Sequence, residues 1–134
     1  MLKKFKIESE MSNLRIVENA IDTFTSEAGI GKDSYGKILV STLEAVNNAI
    51  IHGNKSDISK FVEIEMSLKK DMLDIIVKDQ GEGFIPGNIP DPTLPENIEL
   101  LSGRGVFLMS KLADNIEFNE SGNSVKMTFK NILP

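Results

Sequence analysis

The 134 residues suit one domain around one core and leave little room for a second. With 40% hydrophobic and 26% charged residues the chain has an ordinary globular composition, and its formal net charge of −5 argues against non-specific attachment to nucleic acid or to an anionic membrane. Cysteine is absent, which excludes disulfides and thiolate metal sites, and neither a signal peptide nor the roughly 18 apolar residues of a membrane span can be found, so a cytoplasmic protein is expected.

Lys4 to Ile7 alternates in polarity and predicts a short strand. A helix is expected next, with Ser12 as N-cap, an apolar stripe of Leu14, Val17, Ile21, Phe24 and Ala28, and Gly29 as its stop. A second helix is predicted from Asp33 to His52, ended by Gly53, with Leu39, Leu43, Val46 and Ile50 facing the core. Val62, Ile64, Met66 and Leu68 alternate with polar residues as a half-buried strand; Lys69 to Asp71 turns the chain, and Leu73, Ile75 and Val77 share one face of the following strand. From Gln80 to Gly103 the pattern dissolves into Gly and Pro, a length of loop that marks a functional lid or disorder. A short helix from about Arg104 to Leu112 precedes a hairpin of Ile116–Phe118 and Val125–Phe129 around Gly122. Helices and strands are segregated, which predicts an α+β fold in two layers.

Three places concentrate polar chemistry. On the second helix the only charged residue between Ile38 and His52 is Glu44, so this helix is expected to be covered on more than one side. Glu44, Asn48 and His52 fall at i, i+4 and i+8, each turned by about 40° from the last, a polar stripe separate from the apolar one. A carboxylate beside an amide is hard-oxygen chemistry suited to Mg²⁺, although a satisfied buried polar network has the same appearance. At the end of the third predicted strand, parity from Leu73, Ile75 and Val77 turns Asp79 toward the apolar face, where a carboxylate needs a donor such as a purine amino group. Gly81 and Gly83 then permit a close approach of backbone to a flat ligand; an Asx-turn ending a strand explains the same residues without a ligand. Finally, Gly103 and Gly105 flank Arg104 before the predicted short helix, an arrangement that can hold phosphates on backbone N–H groups or simply close a loop.

Taken together, Glu-x₃-Asn-x₃-His on a helix, Asp-x-Gly-x-Gly at a strand end, a Pro/Gly-rich loop and Gly-x-Gly opening a helix occur in one order. This resembles the GHKL superfamily, whose Bergerat fold binds ATP in gyrase-type topoisomerases, certain chaperones and histidine kinases. Within it the chain is similar to the serine-kinase anti-sigma factors of bacterial sporulation and stress responses. The resemblance runs from Phe5 to Phe129 and is carried above all by Asn48-Ala-Ile-Ile-His-Gly53, Ser102 to Gly105, and Phe107 to Met109.

The resemblance implies a two-layer α/β sandwich with a mixed, mostly antiparallel sheet covered on one face by helices, and a single ATP-binding domain over residues 1–134. It implies Glu44 as base or water-orienting group, Asn48 as Mg²⁺ ligand and Asp79 as partner of the adenine amino group. The nucleotide site it outlines also includes Asn47, His52, Gly81, Gly83, Phe84, Gly103, Arg104, Gly105 and Val106, with His52 and Asn47 in supporting roles. Many members carry a further glycine where this chain has Val106 and Phe107; the anti-sigma branch commonly resembles this shorter form. The implied partners are a sigma factor, a small STAS-type antagonist phosphorylated on serine, and a second copy of the chain in a homodimer, with no direct contact to nucleic acid or membrane. A partner-switching regulator that binds ATP without transferring phosphate is the alternative within the same fold. A detached histidine-kinase domain would need a phospho-accepting histidine, and the lone His52 lies inside the ATP motif. A topoisomerase- or chaperone-like ATPase would be expected to carry a further domain after Phe129. A structural interaction protein without nucleotide would make the three motifs coincidental.

Overall fold

The computed structural model describes residues 1–81 and 109–134. The Pro/Gly-rich lid, the start of the short helix, and Gly83, Phe84, Gly103, Arg104, Gly105 and Val106 lie outside the described residues; residues 109–112 are helical.

Strand β1 spans Leu2–Glu8, longer at both ends than its alternation suggests. A single 3₁₀ turn, Met11–Asn13, leads into helix α1, Leu14–Ala28. Ser12 therefore sits inside this turn and not at a cap. The residue before α1 is Asn13, whose side chain reaches backward to donate to the Glu8 carbonyl at 3.0 Å, tying the helix to β1 instead of capping it. Gly29 ends α1 as expected, in the left-handed conformation (φ 71°) that costs glycine nothing. Helix α2 runs Lys32–Asn48, one residue earlier than predicted, and starts from Gly31, whose N–H donates to the Ile132 carbonyl at 3.2 Å.

Strands β2 (Phe61–Lys69), β3 (Met72–Lys78), β4 (Asn115–Phe118) and β5 (Ser124–Lys130) complete a sheet ordered β1-β2-β3-β5-β4. Every pairing among the described strands is antiparallel, in keeping with the mostly antiparallel sheet that the resemblance implies. β3 and β4 do run in the same direction, but β5 lies between them. The register stacks apolar residues in rows across the sheet: Phe5, Ile64, Val77, Val125 and Phe118 in one, Met66, Ile75, Met127 and Ile116 in the next. Met66, Ile75 and Met127 are fully buried, each contributing about 1.5–3 kcal/mol of apolar burial. The opposite face carries Lys4 opposite Glu65, Lys6 opposite Glu63, and Thr128 bonded to Asp74 at 2.7 Å.

The helices cover the apolar face. Val17, Ile21 and Phe24 of α1 are buried as their spacing predicts, with Leu14 half-buried against them. On α2 the core side is rotated from the predicted stripe. Ile38, Ser41, Thr42, Ala45 and Val46 are buried, whereas Leu39 and Leu43 are half-buried. Small hydroxyl and methyl side chains let α2 lie close to its neighbours, and the larger leucines fill its flank.

Candidate active site

The carboxyl end of α2 changes pitch. Residues Ala49–Gly53 form a π-helical turn, closed by the Asn54 N–H donating to the Ala49 carbonyl at 2.8 Å. The predicted stop at Gly53 holds, but the wider turn was not foreseen. Such turns cost regularity and recur at functional sites. The chain then passes through Lys55 and Ser56, both left-handed (φ 53° and 58°), a conformation that residues with a Cβ avoid unless the surroundings hold it.

This turn meets the end of β3. Asp79 follows that strand with its side chain on the core face, as parity from Val77 requires, and is 9% exposed. The described hydrogen bond to its carboxylate comes from the Gly81 N–H, at 2.8 Å to Oδ1. Burial pushes the Asp79 carboxyl above its ordinary value, against the lowering influence of that N–H and of Lys60. A buried carboxylate with so few donors can accept from an incoming N–H group, and its approach is shaped by two glycines. A Cβ on Gly53 would overlap the Asp79 carboxylate, and one on Gly81 would overlap the Gly53 carbonyl. We therefore expect Gly53→Ala to displace Asp79, lowering stability by about 1–3 kcal/mol and weakening nucleotide binding as strongly as loss of the carboxylate itself. Thermal melting and nucleotide titration of the variant check this together.

Along α2, Glu44 and Asn48 are half-buried and His52 is exposed. Among the described residues, four buried polar atoms of this helix find no hydrogen-bond partner: Ser41 Oγ, Thr42 Oγ1, Asn47 Oδ1 and Asn48 Nδ2. Each unmade bond costs on the order of 1–3 kcal/mol, and a cluster of them calls for an explanation beyond packing. Ser41, Glu44 and Asn48 stand at i, i+3 and i+7, so Ser41 and Asn48 flank the carboxylate along one side of the helix. Because Asn48 Nδ2 has no partner among the described residues, reversing that amide to present its oxygen forfeits no hydrogen bond to them from the nitrogen. That fits a Mg²⁺ ion bound through one protein amide and completed by waters and phosphate oxygens. Among the described residues no three of His, Cys, Asp and Glu gather into a metal cage.

Of the predicted site residues, the structure thus brings together Asp79 and Gly81 with Gly53, at the end of the helix that carries Glu44, Asn47 and Asn48. His52 lies on the exposed side of the same π turn. Two features escaped the sequence. The unpartnered Ser41 hydroxyl reads there as ordinary helix polarity. Asn54, 1% exposed, reads as a loop residue after a helix-stopping glycine, yet it is fully bonded inside the fold.

No helix among the described residues is long and apolar enough to cross a membrane. A family model described as a histidine kinase-like ATPase domain matches residues 7–129. The chain is 32% identical over 123 residues to a serine-protein kinase RsbW of Bacillus licheniformis, covering 84% of this chain and 75% of that protein. It is 30% identical over 137 residues to an anti-sigma F factor of Clostridium perfringens strain SM101, covering 97% of this chain and 96% of that one. The fold is shared with the crystal structure of the RsbU and RsbW domains of Rv1364c from Mycobacterium tuberculosis, at a TM-score of 0.71 and 14% identity, over 97% of this chain but 32% of that longer one. From the end of β1 to β5, then, the chain belongs to the histidine kinase-like ATPase domain family.

Proposed function

We propose that the protein is an ATP-dependent protein-serine kinase acting as an anti-sigma factor, a single ATP-binding domain that binds a sigma factor and phosphorylates a small STAS-type antagonist on serine. The observation that carries this reading is the close packing of Asp79 against Gly53, which joins the strand-end motif to the helix bearing Glu44 and Asn48. The likeness to proteins named serine-protein kinase and anti-sigma F factor, the second over nearly the full length of both chains, supports it. The protein works as a cytoplasmic homodimer, and ATP with Mg²⁺ is its phosphate source.

Each residue then has one task. Asp79 accepts a hydrogen bond from the amino group of adenine, in a pocket whose floor is kept flat by Gly53 and Gly81. With α2 rising about 1.5 Å per residue, Glu44 lies roughly 6 Å back along the helix from Asn48, toward the phosphates. Gly83, Phe84, Gly103, Arg104, Gly105 and Val106 complete the nucleotide site, with Asn47 and His52 in support. Asn48 holds Mg²⁺, which when bound neutralises charge on the phosphate oxygens. Glu44 orients the substrate serine and takes its hydroxyl proton as the serine oxygen bonds to the γ-phosphorus. The bond between that phosphorus and the β,γ-bridging oxygen breaks, and ADP leaves with the electron pair.

Asn48→Ala is expected to remove the Mg²⁺ dependence of ATP binding while leaving metal-free affinity near wild type, as read by calorimetric titration with and without Mg²⁺. The reading as a whole is tested by incubating the protein with γ-labelled ATP and candidate antagonists from the same genome. Label on an antagonist serine is the expected result. Normal ATP binding with no transfer to any serine would replace the kinase by a non-catalytic, ATP-dependent binding protein.

A further inference from the structure

The three backbone N–H groups at the end of β3 are each held by a different element. That of Asp79 donates to the Asn123 carbonyl at 2.9 Å, in the β4–β5 hairpin. That of Gly81 donates to the Asp79 carboxylate itself. Between them, the Gln80 N–H donates to Oδ1 of Asn54 at 2.7 Å.

Asn54 is the residue that follows the π turn, and its side chain is bonded through both amide hydrogens and through its oxygen. Besides accepting from Gln80, it donates through Nδ2 to Ser9 Oγ at 2.7 Å and to the Phe61 carbonyl at 3.0 Å. The amide's orientation is fixed by chemistry, because a backbone N–H can only donate and a carbonyl can only accept. Phe61 is in turn tied to the same segment, its N–H donating to the Gln80 side chain. Ser9 closes the network by donating to the Lys60 carbonyl at 2.7 Å. One buried amide therefore joins the ends of β1 and β3, the start of β2 and the end of α2.

We propose that Asn54 is a positioning residue for purine recognition: by holding the Gln80 peptide, it fixes the direction in which the Asp79 carboxylate faces the base. This rests on the reading of Asp79 as the partner of the adenine amino group. The π turn is what makes the geometry available. It ends the helix at a glycine lying against Asp79 and brings the next residue, Asn54, to the peptide that follows the carboxylate. Without the Asn54 contact, the Gln80 peptide is free to rotate, and the carboxylate loses its aim before it loses its burial.

The test compares binding of ATP with that of inosine triphosphate, which carries an oxo group where adenine has its amino group. Calorimetry on the full chain gives the ratio of the two affinities, and circular dichroism gives the melting temperature. Wild type is expected to favour ATP by about a hundredfold, and Asn54→Ala to lower that preference by about tenfold or more. Should Asn54→Ala not fold, Asn54→Ser keeps a buried polar group but is too short to hold both Gln80 and Phe61, and the same loss is expected. Ser9→Ala removes another arm of the network and leaves the Gln80 contact; it should melt lower with its ATP preference within about threefold of wild type. An unchanged preference in folded Asn54 variants overturns the proposal and leaves the Asp79 assignment standing. An equal loss in Ser9→Ala attributes the effect to general loosening and overturns it too. A wild-type protein that binds both nucleotides equally, or neither, overturns the reading of Asp79 and the proposal with it.

Discussion

Asp79→Asn is expected to bind ATP about a hundredfold more weakly than wild type while melting at the same temperature or higher. The two effects have one cause. Burial raises the Asp79 carboxyl above its ordinary value, so the ionised group is less stable in the folded protein than in the unfolded chain. The folded state accordingly holds its proton to higher pH than the unfolded state does. The cost to stability is absent below the ordinary carboxylate range, grows as pH rises from that range toward the raised value, and is complete above it. An amide at this position removes the charge and its cost. It can also turn its nitrogen toward the adenine amino group, placing two donors face to face. The same linkage predicts that wild-type ATP affinity falls as pH is lowered, beginning above the range where an exposed aspartate would protonate. Titration from neutral pH downward into the ordinary carboxylate range should show that loss in wild type and a flatter profile in Asp79→Asn.

Glu44→Gln is expected to lower phosphoryl transfer to serine by about 10²–10⁴-fold, the range of a lost general base, with ATP affinity within a fewfold of wild type. Glu44 is half-buried on α2 and is not part of the ion pair among the described residues, which joins Lys126 to Asp74. Among the described residues, then, no ion pair commits its carboxylate. Glutamine keeps the shape and a hydrogen-bonding oxygen but accepts no proton, so single-turnover transfer and equilibrium binding should separate. A parallel loss in both would mean that Glu44 organises the nucleotide and not the hydroxyl.

The sequence made much of this site legible because side-chain parity survives folding. Leu73, Ile75 and Val77 face the core, and Asp79 follows them inward two residues later, as the two-residue period of a strand demands. Gly29 and Gly53 end their helical segments where an apolar stripe gives out. The features that stayed hidden are those decided by contacts distant in sequence. Ser41 and Thr42 are fully buried because α2 presents a face of small residues to its neighbours, and a hydroxyl gives no sign of this in a hydropathy pattern. Asn54 resembles a turn residue until Ser9, Phe61 and Gln80 are brought around it. The π turn has no compositional signature at all. It places Gly53 against Asp79, a contact between residues distant in sequence that the helical pattern does not announce.

The central claim is that ATP lies between the end of β3 and the α2 helix. Backbone amide shifts followed by NMR while Mg-ATP is titrated into the uniformly labelled chain test it most directly. The account predicts the largest changes at Gly53, Asn54, Asp79, Gln80 and Gly81 and along Glu44 to Asn48, with the opposite face of the sheet around Asp74 and Lys126 unaffected. Changes confined to another surface, such as the cleft between α1 and α2 at Asp22, Thr25 and Tyr35, would contradict it.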